Sequence, residues 1–263
     1  MKEKILISLP ILLTIAIFGV LLFLLFTLQS ATQVKQVAQL VQGEQVVGPA
    51  IEVPTEIIEP KKVTLQFFGD IMLDRDVVKV MGNQGLDYIF AKNTPSSTVF
   101  VDADMTVANL EGPFAPNRIQ TSKSIAFRFD PKFAAALKEY GFDAFNLANN
   151  HSYDMGRQNV AFTRETLQKN GLGYFGDEYN QGSEYTYVAS AEQNLPFPVA
   201  FIGLNTTEGP IDMEKVVAAV EDAKSRSKFV IVNIHWGEEY HDNSNQAQQN
   251  LAHQLIDLGV DVY

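Results

Sequence analysis

Four short runs carry side chains able to hold a cation or move a proton: Gly69-Asp70, Asn109-Leu110-Glu111-Gly112, the stretch NLANNHSYDMG from Asn146 to Gly156, and His235-Trp236-Gly237-Glu238-Glu239. Carboxylate and amide oxygens beside imidazole nitrogens are the donor mixture that suits hard to borderline divalent ions such as Mn²⁺, Zn²⁺ or Fe²⁺. An ion gathered by Asp70, Glu111 or Asn109, Asn150 and His235 would lower the pKa of a water and draw in a phosphoryl oxygen, leaving His151 as proton donor to a leaving group. Each run also has an ordinary reading. Asp70 alone is a turn residue, Asn109 and Glu111 a polar turn, Asn149 and Asn150 left-handed turn formers, His151 a cap and His235 a neutral core histidine. The case for chemistry rests on convergence.

Convergence is the work of the elements around these runs. KVTLQFFGD reads as a strand ending at Asp70, followed by a short helix over Asp74 to Met81. DADMTVANLEG is a second strand running into the turn at Gly112 and Pro113. In DPKFAAALKEYG, Asp130 is placed to cap and Pro131 to start a helix with Phe133, Leu137 and Tyr140 on one face and Gly141 past its end. FDAFNLAN is the next strand, Arg157 to Asn170 a helix stopped by Gly171, PVAFIGLN a strand, Met213 to Ser225 a helix, and KFVIVNIHWG a strand. Asn245 to Leu258 closes the series as a helix with Ala247, Leu251, Leu255 and Leu258 inward. Strands and helices in alternation predict an α/β fold, a sheet covered by helices. All four polar runs fall where a strand gives out, the place where open α/β sheets bind ligands.

Composition narrows the function. The chain has no cysteine, which excludes thiolate catalysis, cysteine-based zinc sites and disulfides. Its net charge of −11 argues against nucleic acid as a partner, because phosphate-backbone binding depends on Lys and Arg. An anionic substrate would need a local positive feature such as a metal ion. Ahead of the domain, Ile5 to Leu28 is uncharged and long enough to cross a hydrocarbon layer of about 30 Å. Lys2 and Lys4 before it favour a cytoplasmic N-terminus, so the rest would be extracellular on a single-pass cell-membrane protein. A cleaved signal peptide is the alternative, given the small Ser30 and Ala31, but the apolar run is long for one. The expected organisation is an anchor over residues 1–28, a stalk and linker over 29–62, and one domain over 63–263.

FFGDIMLDR, NLEGP, FRFDP, ALKEYGFDAFNLANNHSYDMG and NIHWGEEY resemble, in order and spacing, the CapA family of poly-gamma-glutamate (capsule) synthesis proteins, itself similar to calcineurin-like metallophosphoesterases. The resemblance covers Val63 to Tyr263. It implies a sandwich of two mixed sheets flanked by helices, with a dinuclear-type metal site at the sheet ends. By that likeness Asp70 would bind one metal, Glu111 or Asn109 would bridge, Asn150 and His235 would bind the second, and His151 would be the general acid. It further implies capsule or polymer synthase subunits as partners and an anionic polymer or phosphoester as substrate.

Two departures from the family pattern bear on this. The broader phosphoesterase motif is Asp-x-His, and here the third position is Met72, a poor ligand for hard ions. The pattern also continues into a strand with a Gly-His-x-x-His type motif, whereas this chain stops at Tyr263, so a C-terminally incomplete domain with weakened metal binding is expected. Outside the ligand set, Arg75 and Arg128 are candidates to hold an anionic substrate, or else form surface ion pairs. Asp154 either orients His151 or caps the helix from Arg157, and Glu239 is placed to support the cleft.

Overall fold

Residue parity along the strands explains the architecture. The structure is a computed structural model and describes residues 61–93, 103–179, 182 and 185–263. The first sheet has the order β1 (Leu65–Ile71), β2 (Met105–Leu110), β3 (Ala144–Asn146) and β4 (Gly173–Phe175), all parallel. Its strands are joined by helical crossovers, which return the chain to the same end each time. These carry α1 (Arg75–Met81) and α2 (Leu86–Asn93), then α3 (Phe133–Glu139), then α4 (Arg157–Lys169). The second sheet is β5 (Tyr187–Ala189), β6 (Val199–Asn205) and β7 (Phe229–His235), with β5 antiparallel to β6 and β6 parallel to β7. Helices α5 (Met213–Arg226) and α6 (Gln246–Asp257) follow β6 and β7.

Alternate residues sort into three cores. Met105, Val107, Ala144 and Phe175 of the first sheet pack with Val199, Phe201 and Ile231 of the second, so one face of each sheet meets the other. The opposite face of the first sheet, with Ala108, Leu110 and Phe145, packs on Leu73, Met81, Leu137 and Leu167 from the helical connections. On the far side of the second sheet, Ala200, Ile202 and Leu204 meet Val216, Ala219, Val220 and Ala223 of α5 and Leu255 of α6. The α5 residues recur at the three- and four-residue spacing of one helix face. Helix starts follow the chemistry of their caps: Asp74 accepts from Arg75 N, Asp212 from Glu214 N and Lys215 N, and Asn245 with Gln248 forms a reciprocal capping box.

The expected α/β sheet flanked by helices is present, with corrections of detail. One sheet is mixed and the other wholly parallel, since only the short β5–β6 connection reverses the chain. Helix α2 and the three-residue strands β4 and β5 are additional to the elements read from sequence. Helix α3 begins at Phe133, because Asp130 instead closes a turn onto Lys132 N at 3.1 Å and Phe133 N at 3.1 Å. Ala247 is exposed, and Ala252 takes the inward place in α6. Val262 pairs in parallel with Ile231 beside β7. The expected anchor over 1–28, and the linker up to residue 60, lie outside the described residues; among those described, no helix is long and apolar enough to cross a membrane.

Two local features aim the strand ends at a common point. A bulge in β1 sets Phe67 opposite Val107 and Asp70 opposite Asn109, three steps against two, which turns Asp70 to the same face as Phe67. Gly203 in β6 lets the sheets close together there: a Cβ on it would collide with Asn146 Oδ1 and sit 2.9 Å from Gly176 Cα. Gly203→Ala is therefore expected to destabilise the fold by about 2 kcal/mol through overpacking, read as a lower urea midpoint. An unchanged midpoint would show that the sheets have slack at this crossing.

Candidate metal centre

At the carboxyl ends the face between the sheets changes from apolar to polar. Continuing the parity of Met105 and Val107 gives Asn109, that of Ala144 gives Asn146, and that of Ile231 gives His235. His235 is in register with Asn205 at the end of β6. Asp70, Glu111 and His235 thus come together with their ligand atoms within 4.8 Å of one another. His235 Nε2 lies 3.7 Å from Glu111 Oε1 and 3.0 Å from Asn150 Oδ1. His151 Nε2 lies 4.0 Å from the same Glu111 oxygen.

Asn109 organises the carboxylates. Its Nδ2 donates to Asp70 Oδ1 at 2.7 Å and to Glu111 Oε2 at 2.5 Å, while its Oδ1 accepts from Asn149 Nδ2 at 3.0 Å. Asn149 also donates to Leu110 O at 2.8 Å and accepts from His151 N at 3.1 Å, which folds the chain tightly after β3 and presents Asn150 and His151. His151 Nδ1 meets Asp154 Oδ2 at 2.6 Å, leaving Nε2 toward the cavity, and its ring lies on Phe127 with centroids 4.2 Å apart. Asp154 orients His151; it does not cap α4, whose N-cap is Gly156.

A cavity of about 600 Å³ opens over these groups. Asp70, Glu111, Asn150, His151 and His235 form its floor, and the segment after β7 forms a wall that includes Trp236, Glu239 and His241. Glu239, expected to support the cleft, lines it. His241, exposed, lines the cavity edge and pairs with Glu238 at 3.1 Å.

The two arginines stand elsewhere. Arg128 donates from Nε to Ala115 O at 2.7 Å and from Nη2 to Pro116 O at 2.6 Å, so its guanidinium braces its own loop. Arg75, exposed, begins α1 with a positive φ of 54°, and neither arginine lines the cavity. Met72, half-buried, packs against the core beneath the first sheet and is not among the grouped donors.

The donor set fits a single divalent ion. Two carboxylates and an imidazole have the right chemistry, with the Asn150 amide oxygen beside them. The electrostatics agree. Burial pushes the Glu111 carboxyl up to about 7, and repulsion from Asp70 adds to this. Burial also lowers the pKa of His235, which favours the neutral imidazole that binds metals.

The family model described as bacterial capsule synthesis protein PGA_cap matches residues 64–263. The PGA biosynthesis protein CapA of Bacillus subtilis (strain 168) is 29% identical over 215 residues, 76% of this chain and 56% of the relative. The capsule biosynthesis protein CapA of Bacillus anthracis is 29% identical over 228 residues, 80% of this chain and 55% of the relative. The chain spans little more than half the length of these relatives.

Glu111 makes the stability pH-dependent in a definite sense. A carboxyl whose pKa rises on folding favours the fold while protonated; that contribution is complete below its ordinary 4.5 and is lost as pH passes about 7. In chelator the melting temperature should fall between pH 5 and pH 8, and Glu111→Gln should flatten the decline. Mn²⁺ should raise the melting temperature more at pH 8 than at pH 6, because the ion replaces the proton. A slope unaltered in E111Q would assign the titration to another group.

Proposed function

The chain belongs to the bacterial capsule synthesis protein family, and from that premise we propose that it acts in the synthesis or export of an anionic capsular polymer such as poly-gamma-glutamate, using a divalent-metal cleft of phosphoesterase type. The observation that carries the cleft is the meeting of Asp70, Glu111 and His235 at the ends of three strands from two sheets. In this reading Ile5 to Leu28 anchors the protein in the cell membrane with the domain outside, beside capsule or polymer synthase subunits.

Asp70, Glu111, His235 and Asn150 would hold the ion, which supplies positive charge and Lewis acidity toward an anionic ester. This answers the acidic character of the cavity, whose lining contains Glu238, Glu239 and Asp242 and neither Lys nor Arg. Asn109 keeps both carboxylates turned toward the site. His151 donates a proton from Nε2 to the departing oxygen, and Asp154 stabilises the imidazolium before that transfer. Trp236 and the wall after β7 shield one side of the reacting group.

A second reading, a scaffold or polymer-handling subunit with a degenerate metal site, is favoured by one feature. Met72 stands where the phosphoesterase pattern has a ligand, and its thioether packs into the core. Hydrolysis of p-nitrophenyl phosphate by the full chain, with and without Mn²⁺, separates the two. The catalytic reading expects Mn²⁺-dependent turnover that His151→Ala lowers about 10²- to 10⁴-fold in kcat, with little change in Mn²⁺ affinity. Mn²⁺ binding without turnover of this or other phosphoesters would favour the scaffold.

A further inference from the structure

The turn that presents Asn150 and His151 is held from beneath by a side chain outside the ligand set. Lys123, in the connection between β2 and α3, donates from Nζ to the backbone carbonyl of Asn150 and pairs with Asp154 Oδ1 at 3.0 Å. Each contact leads to a different arm of the site. Asn150 goes on through its side-chain Oδ1 to His235 Nε2 at 3.0 Å, and Asp154 through Oδ2 to His151 Nδ1 at 2.6 Å.

The Asp154 side chain is wholly buried, and its Oδ2 also accepts from Phe127 N at 2.7 Å. A buried carboxylate in that position calls for a cation at its other oxygen. An ammonium suits the place because it offers three donors on a flexible stem, enough for both acceptors.

The loop bearing Lys123 is itself braced. Arg118 donates to Ala126 O at 2.9 Å and pairs with Asp74, and Arg128 N donates to Asp74 Oδ2 at 2.9 Å in addition to the guanidinium contacts described above. Lys123 is therefore fixed from its own side.

We infer that Lys123 is a positioning residue that sets Asn150 and His151 together, so that the metal arm and the proton-donating arm of the centre share one support. The inference rests on the metal-cleft reading above. Outer contacts of this kind typically change metal affinity or activity about tenfold to a hundredfold when removed.

The absence of cysteine makes a clean test possible. K123C can be alkylated with 2-bromoethylamine at its single thiol to give a lysine-like ammonium, or capped with iodoacetamide as a neutral control. Two quantities are read for each form: amide hydrogen exchange of residues 149–154, and the Mn²⁺ dissociation constant by calorimetry. K123M and the neutral-capped form should show faster exchange in that segment and Mn²⁺ binding weaker by about tenfold or more, and the aminoethylated form should recover both. Absence of recovery, or no change in K123M, would overturn the inference.

Where K123M folds poorly because Asp154 is left charged and unpaired, Asp154→Asn is compared with the D154N/K123M double variant. Faster exchange in the double variant is expected from loss of the Asn150 contact; equal exchange overturns the inference. A parent chain that binds no Mn²⁺ counts against the proposed function, and the exchange comparison then decides on Lys123 by itself.

Discussion

The structure depends on one carboxyl, Glu111, held out of water at the mouth of two sheets beside the exposed Asp70. Glu111 is 8% exposed and has Asp70 as a neighbour, a combination that raises its pKa by both burial and repulsion. Left alone, such a pair favours a proton, separation of the groups or the arrival of a cation. Separation is prevented by Asn109, whose amide holds both carboxylates at hydrogen-bond distance, and by the Asn149 contacts that fix Asn109 in turn. The protein thus keeps an electrostatic conflict in place, and in the proposed reading a divalent ion would resolve it.

Backbone geometry makes this arrangement possible. Along β2, β3 and β7 the residues facing the opposite sheet are apolar at the amino ends and Asn or His at the carboxyl ends. The face that makes the core therefore makes the site, one or two residues later along the same strand. The β1 bulge brings Asp70 into this alignment, and Gly203 with Gly176 allows the approach that carries His235 toward Glu111. Packing and chemistry are linked here, since a sheet displaced by a side chain at Gly203 would also displace an imidazole.

Much of this was legible in the sequence, for a physical reason. Polar residues directly after long apolar runs, as in MTVANLEG and FVIVNIH, mark strand ends, and alternation with helices puts those ends on one side of a sheet. Asp70, Glu111, Asn150, His151 and His235 followed from that pattern. What did not follow were contacts set by tertiary structure. Arg128 looked available for an anion, but the fold turns its guanidinium onto the carbonyls of Ala115 and Pro116. Lys123 gave no periodic or spacing signal, and its contact with Asp154 exists only because one loop crosses beneath another. Strands β4 and β5 are three residues each, as β3 is, but lack the longer apolar run into a polar cluster that marks FDAFNLAN.

Met72 bears on how the centre differs from a two-metal site. The thioether packs with the side chains of the core beneath the first sheet. Asp70 has Glu111 and His235 as its neighbours. One ion satisfies those three donors, whereas a second would need ligands from elsewhere. A single ion can still polarise an ester oxygen, but it cannot clamp the attacking and departing oxygens together as a metal pair does. In the proposed reading the work at the departing oxygen would then fall to His151, which has Asp154 behind its ring nitrogen and Phe127 against its face.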